Sequence, residues 1–520
     1  MFSFFPSRFQ HALRAWTLAV AAGGSLLAQS SANSSQPTRA QQVQSLSGRQ
    51  AQGSGSVTAQ QSASAGSTSS VNTSTTTVQV QGSYTGSVPD PNSAHAPVTL
   101  TLEQAIQMGL RFNLGAVSAS ATLRQVRAQR LSALSQLQPT INASLGETGA
   151  KTSLQTIGLS SGTFGGGIPL PATVGPYHYY DLRATVNYNV LDFTAIHNYR
   201  QARESERAAE LGDRDARELI VLAVGGEYLR VLADAALVES QEAQVRYAQS
   251  SYNQALAQME AGTKSQVDAQ RSQVELQTEQ QRLTSQRADL VKEKRSLARS
   301  IGLPLDSTLT LAEKLPFTPA PPMPLNEALQ QAYAQRPDLQ SAAAQLRAAG
   351  ESLKAARSEH LPSVNVNGYF GVQGVNPNHG NGVFSGTASI NVPIWQGGRI
   401  RADEQQAQAA IDQRRAEYQD QRGVIEQDIR NAYTDFEVAV DQVKVAESNR
   451  ALALTTLRQS QDRFVAGVTN SVEVVQSQES LASANRDYIS SLYSHNLAKI
   501  SLARALGQAE ITIPTFLKGQ

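Results

Sequence analysis

The chain has 520 residues, with 44 Lys and Arg against 43 Asp and Glu, a net charge of +1 and 6% aromatics. This near-neutral balance excludes a nucleic-acid partner, since phosphate recognition needs a basic surface. Cysteine is absent, which excludes disulfides, thiolate metal sites, a cysteine nucleophile and a lipidated N-terminal cysteine.

Residues 1–28 carry Arg8 and Arg14 followed by AWTLAVAAGGSLLA. A positive flank, a short apolar core and small residues predict a secretory signal peptide, cut after Ala28 or Ala32. The run falls short of the ~20 apolar residues of a spanning helix. Residues 29–97 are rich in Ser, Gln and Thr. They lack the apolar surface that would offset their ordering entropy, so a disordered extension is expected, with a weak hairpin signal at TTTVQVQGSYTGSV.

Past residue 97 the chain reads as one unit written twice, 98–315 and 325–513, joined by the Pro-rich linker PFTPAPPMP (316–324) and followed by a tail, 514–520. SLARSIGL (296–303) recurs as SLARALGQ (501–508), 205 residues on. The front parts match at an offset of 223, as LEQAIQ (102–107) on LNEALQ (325–330) and Pro139 on Pro362. Copy one therefore holds 18 extra residues, which fit the loop SGTFGGGIPLPATVGP. Each copy is predicted as helix, strand, loop, strand, very long helix, turn, long helix.

The strands follow from period two. From Tyr180 to Val190, apolar residues alternate with Asp181, Arg183, Thr185, Asn187 and Asn189. Phe384–Ile394 repeats the pattern with Ser385, Thr387, Ser389 and Asn391, and Val364–Val372 supplies a partner strand. Tyr177, Tyr179, Tyr180, Phe193, Phe384 and Trp395 cluster at predicted strand ends, as in the aromatic girdles of outer-membrane barrels. The period then becomes 3.5, over Val224, Tyr228, Val231, Ala235, Val238, Glu242, Val245, Gln249, Tyr252, Leu256 and Met259, and again 205 residues on from Ile429 to Phe464. This is a coiled-coil seam on a helix of about 196–261, roughly 100 Å long.

Two strands per copy make four per chain. A small soluble sheet capping a coiled coil would satisfy the alternation. If the strands span a bilayer, four cannot close, and open edges in lipid cost several kcal/mol per unpaired backbone group. Two chains would give an eight-stranded barrel filled by side chains. Three chains and twelve strands are the smallest assembly with a polar, water-filled lumen.

Reversals are predicted at Ala261-Gly262-Thr263 and Ala466-Gly467-Val468, where glycine permits the left-handed backbone. An acid follows six residues after each glycine, Asp268 and Glu473. Each suits the positive end of a helix. Enzyme signatures fail: GTKS (262–265) lacks the Gly-Lys pair of a phosphate loop, and HExxH and EF-hand motifs are missing.

At NVPIWQGGRIRADEQQAQ (391–408) the sequence resembles the strand-to-helix junction of TolC-type outer-membrane efflux proteins, with Pro393, Ile394, Trp395, Gly397, Gly398 and Arg399 on the pattern P-hydrophobic-aromatic-x-GG-R. The resemblance covers about residues 98–513; copy one reads NVLDFTAIHNYRQA there, without the glycine pair. It implies a homotrimer with a 12-stranded transmembrane β-barrel continued by a long periplasmic α-helical barrel. It implies an exit duct of a tripartite efflux or type I secretion system. The partners would be a periplasmic adaptor docking on the two tips, an inner-membrane pump of RND, ABC or MFS type, and outer-membrane lipid, with no cofactor. Asp268 and Glu473, with Lys264 pairing nearby, would form the periplasmic aperture. Thr469 stands where the best-known members carry an Arg. A secreted coiled coil or an adaptor without a pore is the alternative; two hairpins, each preceded by a strand pair, argue against an adaptor.

Overall fold

Helix α1 (Leu102–Phe112) begins at Thr101, whose hydroxyl accepts from Gln104 N while Gln104 Oε1 accepts from Thr101 N. This is a capping box. The computed structural model describes residues 55–61, 74–80, 83–89, 98–157, 171–263, 265–317, 323–376, 379–469 and 471–516. The signal segment, loop 158–170, Lys264, linker residues 318–322 and the end of the tail lie outside them.

Where one helix was expected there are two. α1 stops at Asn113, whose side chain caps α2 (Leu114–Ser135) by accepting from Gly115 N. The same side chain donates to Tyr84 O and Ser300 O. A buried amide bonded to distant segments thus forces the break. Repeat 2 breaks at the same place, between α5 (Leu325–Gln335) and α6 (Pro337–Ser358), with proline at the first helical position.

The heptad runs become α3 (Phe193–Glu260) and α7 (Arg399–Val465). Their partners are α4 (Gln266–Ile301) and α8 (Ser471–Ala505). α7 buries Ile425, Ile429, Ala432, Phe436, Ala439, Val443 and Ala446, an unbroken four-three spacing. α3 departs from expectation below Ala233. Its fully buried positions there are Gln241, Gln244, Ala248 and Ala255, facing Ala269, Ser272, Leu276 and Glu279 of α4, whereas Val238, Val245 and Tyr252 are half-buried. α3 packs against α4 and α8, and α8 against α7; α3 also packs against α2 and α6, and α6 against α7.

Strands β4 (Thr140–Ser153), β5 (Thr173–Leu191), β7 (Ser363–Asn376) and β8 (His379–Asn391) form one antiparallel sheet in the order β4-β5-β7-β8. Its register aligns Ala143, Ala184, Phe370 and Phe384 in one row, and Ser144, Arg183, Gly371 and Val383 in the next. Of the aromatics expected as a girdle, Tyr177 and Tyr179 fall on the face of Asp181, while Tyr180 falls opposite. The pleat decides this, because the girdle reading counted position along the strand and not parity.

Midway along α3, a parallel pair of short strands, β3 (Val98–Leu100) and β6 (Leu309–Leu311), joins the start of repeat 1 to the end of α4. The largest apolar core lies here, built from Ile106, Ile220, Tyr228, Leu297, Ile301 and Ile500 with helix α9 (Ala509–Phe516). The two SLAR motifs end at this level. Arg504 pairs with Asp215, and Arg299 O accepts from the Ser87 hydroxyl. Of residues 29–97, expected as a disordered extension, the described parts are 55–61, 74–80 and 83–89. β1 (Gly55–Gln61) pairs with β2 (Ser74–Val80), and Tyr84 sits in the core, held by Asn113 and by backbone bonds from Val88 and Leu114. One apolar ring among polar neighbours is enough to anchor residues 83–89.

An acidic cluster flanks this core. Burial pushes Glu227 up to about 7, partly opposed by the Ser300 hydroxyl it accepts from and helped by Glu293. Burial likewise takes Asp234 to about 6, against the pull of Arg230 and with Glu293 and Asp289 adding. An acid raised in the folded state holds its proton there when the unfolded chain has lost it, so stability falls as pH rises from about 4.5 to 7. Glu227→Gln should therefore raise the thermal midpoint at pH 8, by a few kcal/mol of stability, and leave it nearly unchanged at pH 4.5. Melting curves of the two proteins across that range check this.

Candidate channel wall and helical tips

The two faces of the four-stranded sheet differ in kind. On one face Ile141, Leu145, Phe370, Phe384 and Ile390 are 70–82% exposed, and Leu182, Val190 and Val372 are exposed beside them. Soluble monomers rarely leave an apolar sheet face this large in water, and such a face marks a protein or membrane contact. The opposite face carries Asn142, Ser144, Thr185, Asn187, Asn189, Asn365, Asn367, Ser385, Thr387 and Ser389, some bonded to one another, as Asn365 Nδ2 is to Asn189 Oδ1 at 2.6 Å. One face suits hydrocarbon and the other water, the division a barrel wall requires. Each edge strand, β4 and β8, has a partner on one side only among the described residues.

The strand-to-helix junctions solve one turn in two ways. In repeat 1, Asp192 Oδ1 accepts from Ala195 N and caps α3 directly. In repeat 2, Gly397 and Gly398 take φ of 60° and 86°, and Gly398 O accepts from Ala402 N. The left-handed backbone explains the glycine pair. Arg399 anchors the junction through Glu359 at 2.7 Å and Asp403 at 3.0 Å. Pro393 is half-buried, while Ile394 and Trp395 are 93% and 86% exposed. Trp395 thus sits where the apolar sheet face gives way to the helical wall, the level of a membrane–water interface.

The two tips share one geometry. At the first, Ala261 ends α3, Gly262 has φ of 72°, and Thr263 N donates to Gln258 O at 3.0 Å. At the second, Ala466 ends α7, Gly467 has φ of 73°, and Val468 N donates to Arg463 O at 2.9 Å. Both are Schellman caps, which satisfy the last carbonyls. All six residues are exposed.

The structure brings Asp268 and Glu473 to the tips and holds them differently. Asp268 accepts from Ser265 at 2.9 Å and, across the repeats, from Ser471 at 3.3 Å. Glu473 pairs with Arg463 at 3.2 Å and accepts from Thr469. Arg463 was missed from sequence. Its signal was available, because residues 463 and 473 lie equally far from Val468 across the turn. Between the starts of α4 and α8 runs a groove of about 420 Å³, lined by Val267, Val274, Val472 and Val475 with Arg271 and Glu275.

Residues 110–303 and 328–508 match the outer membrane efflux protein family. The chain belongs to this family. The toluene efflux pump outer membrane protein TtgC of Pseudomonas putida is 24% identical over 422 residues, covering 78% of this chain and 82% of that protein. The outer membrane protein OprJ of Pseudomonas aeruginosa is 30% identical over 183 residues, 33% of this chain and 37% of its own. In fold, the outer membrane protein VceC of Vibrio cholerae aligns with a TM-score of 0.66 at 18% identity, covering 78% of this chain and 96% of VceC. The MtrE outer membrane channel of Neisseria gonorrhoeae aligns with a TM-score of 0.64, covering 87% and 95%. The protein is an outer-membrane efflux channel with its helical part on the periplasmic side, which takes the place of the poreless coiled coil and the adaptor. No helix among the described residues is long and apolar enough to cross a membrane, and the exposed apolar face of the sheet is the surface suited to lipid.

A charge on that face tests the assignment. Phe370→Arg should cost about 2–4 kcal/mol if residue 370 lies near the bilayer midplane. The expected result is loss of the protein from outer-membrane fractions, whereas Asn367→Arg on the opposite face should leave it there.

Proposed function

We propose that three copies of the chain close into a 12-stranded barrel in the outer membrane, continued by a helical tube that conducts solutes passively to the exterior. The observation that carries this is the open sheet with one exposed apolar face. About half the backbone groups of β4 and β8, of 14 and 13 residues, point away from the sheet. At several kcal/mol per unpaired group in hydrocarbon, their cost exceeds the ~5–15 kcal/mol stability of a domain. Pairing β4 of one copy with β8 of the next removes it.

The helices offer matching edges. α7 exposes Ala402, Ala409, Ala416 and Gly423 at heptad spacing near the strands, then Val438, Val445 and Leu452 further down. α4 exposes Val291, away from the groove that Val267 and Val274 line. Small residues admit the close approach of a neighbour's α2, and the larger ones suit its α4. The paired elements have nearly equal lengths, 11 and 11 residues for α1 and α5, 22 and 22 for α2 and α6, 68 and 67 for α3 and α7. Such correspondence supports an internal duplication, which lets three chains approximate sixfold symmetry.

At the tips, the exposed turns Ala261-Gly262-Thr263 and Ala466-Gly467-Val468 and the valine groove beside them suit a periplasmic adaptor. Through it the duct would meet an inner-membrane pump of RND, ABC or MFS type, and the pump would choose the cargo. Asp268 and Glu473 from three chains would ring the aperture and favour cations. The first test is the mass of the detergent-extracted protein by light scattering: three chains are expected, and a monomer would return the sheet to an unpaired state that lipid does not tolerate. The second is conductance of the reconstituted channel. Asp268→Ala with Glu473→Ala should weaken cation selectivity about two-fold or more, and an unchanged reversal potential would remove both residues from the aperture.

A further inference from the structure

The polar face of the sheet carries one charged pair. From Thr140 to Ala150 on β4, Tyr177 to Asn189 on β5, Asn365 to Gln373 on β7 and Asn381 to Asn391 on β8, its side chains are uncharged except Asp181 and Arg183. Their setting is built across two strands. Arg183 Nε donates to Asp181 Oδ1 at 2.6 Å, and the guanidinium lies 4.5 Å over the Tyr369 ring. Gly371 stands directly across from Arg183 on β7. A Cβ there would meet Leu182 O at 2.2 Å and Arg183 Cγ at 3.0 Å, so glycine makes the room in which the arginine stem lies. Asp181 faces a second glycine, Gly146 of β4. The pair is mostly covered, with side chains 30% and 22% exposed.

An arginine in water sweeps out a wide volume and presents its charge to any passing solute. Here its position is fixed by a carboxylate on one side and an aromatic face on the other, both attractive to a guanidinium. The charge is cancelled within one hydrogen bond of where it stands. β8 brings no charge to this face, so three chains give three such pairs and not six.

We infer that the Asp181–Arg183 pair, held by Tyr369 and Gly371, sets the charge selectivity of the barrel lumen: it keeps the wall neutral, and loss of either member makes the lumen sign-selective. The inference rests on the trimeric barrel proposed above. A wall of amides and hydroxyls hydrates ions of both signs, whereas three unpaired guanidinium or carboxylate groups at one level form the charged ring that selects in other pores.

The test is the permeability ratio of chloride to potassium, read from reversal potentials of the full chain in planar bilayers. The Asp268→Ala and Glu473→Ala background keeps the tip carboxylates from dominating. Asp181→Asn should raise the ratio at least about two-fold and Arg183→Gln should lower it by a similar factor. The charge-swapped double variant, Asp181→Arg with Arg183→Asp, should return to the starting ratio. Light scattering verifies that each variant still assembles. Because the chain has no cysteine, Arg183→Cys and Leu182→Cys report which face meets the lumen. A water-soluble charged methanethiosulfonate should reduce conductance at position 183 and not at 182. Block at 183 with unchanged ratios in both single variants would overturn the inference and leave the barrel standing. Block at 182 alone would reverse the faces and overturn the barrel reading and the inference together.

Discussion

A backbone N–H or C=O in hydrocarbon must have a partner, and the two edges of the four-stranded sheet have none among the described residues. The rest of the architecture follows from that constraint. A sheet that is apolar on one side and polar on the other cannot rest in water or in lipid as a single copy. In the proposed trimer it curls until its edges meet edges of other copies, since twelve strands leave a lumen where eight would be filled. The helices inherit the arrangement, because β5 runs into α3 at Asp192 and β8 reaches α7 through the Gly397-Gly398 turn. Each lane of the helical wall hangs from a strand, so a sheet that closes sets the helices in a ring.

Along that wall the packing changes in strength. At the level of α9 the seams hold Ile220, Leu229, Leu297 and Ile301, and a buried Arg336 bridging Asp338 and Asp428. Toward the tips the seam of α3 and α4 holds Gln241, Gln244, Ser272 and Glu279 with Leu276 and a few alanines, while that of α7 and α8 keeps Leu457, Phe464, Val474 and Leu481. Burying a large aliphatic side chain contributes roughly 1.5–3 kcal/mol, and an alanine or serine far less. Toward its tip the hairpin of repeat 1 is therefore the more loosely packed of the two. The ends of the helices are joined by hydrogen bonds such as Gln241 to Glu279 and Ser471 to Asp268, which water can replace.

The periodic features were legible in the sequence and the contacts between distant segments were not. Alternation over Tyr180–Val190 and the 3.5-residue spacing over Ile429–Phe464 report which way side chains point, and local geometry imposes both. The turns were legible for the same reason, since Gly262 and Gly467 are demanded by positive φ. What escaped depends on pairs far apart in the chain. Asn113 ends a helix because of Tyr84 and Ser300, and Arg504 finds Asp215 from 289 residues away. The seam of lower α3 was misplaced because hydrophobicity alone was counted. In a one-layer wall each helix packs on two sides, and the side buried within one chain is the one with small and polar residues. At the candidate site the acids were found but not their holders, Ser471 and Arg463.

The two repeats agree where shape is at stake and differ where charge is. Their helices match almost residue for residue in length, and their tips use the same cap. Yet Asp268 is held by the other repeat and Glu473 by its own hairpin, and the lumen pair Asp181–Arg183 occurs in repeat 1 alone. Walls need regular spacing, which duplication supplies. Electrostatics acts over about 8 Å at physiological salt, so one charged group per chain is enough to govern a narrow passage. The proposed trimer would thus be sixfold in its backbone and threefold in its chemistry, with each repeat free to change a charged residue without disturbing the lanes that its partner must match.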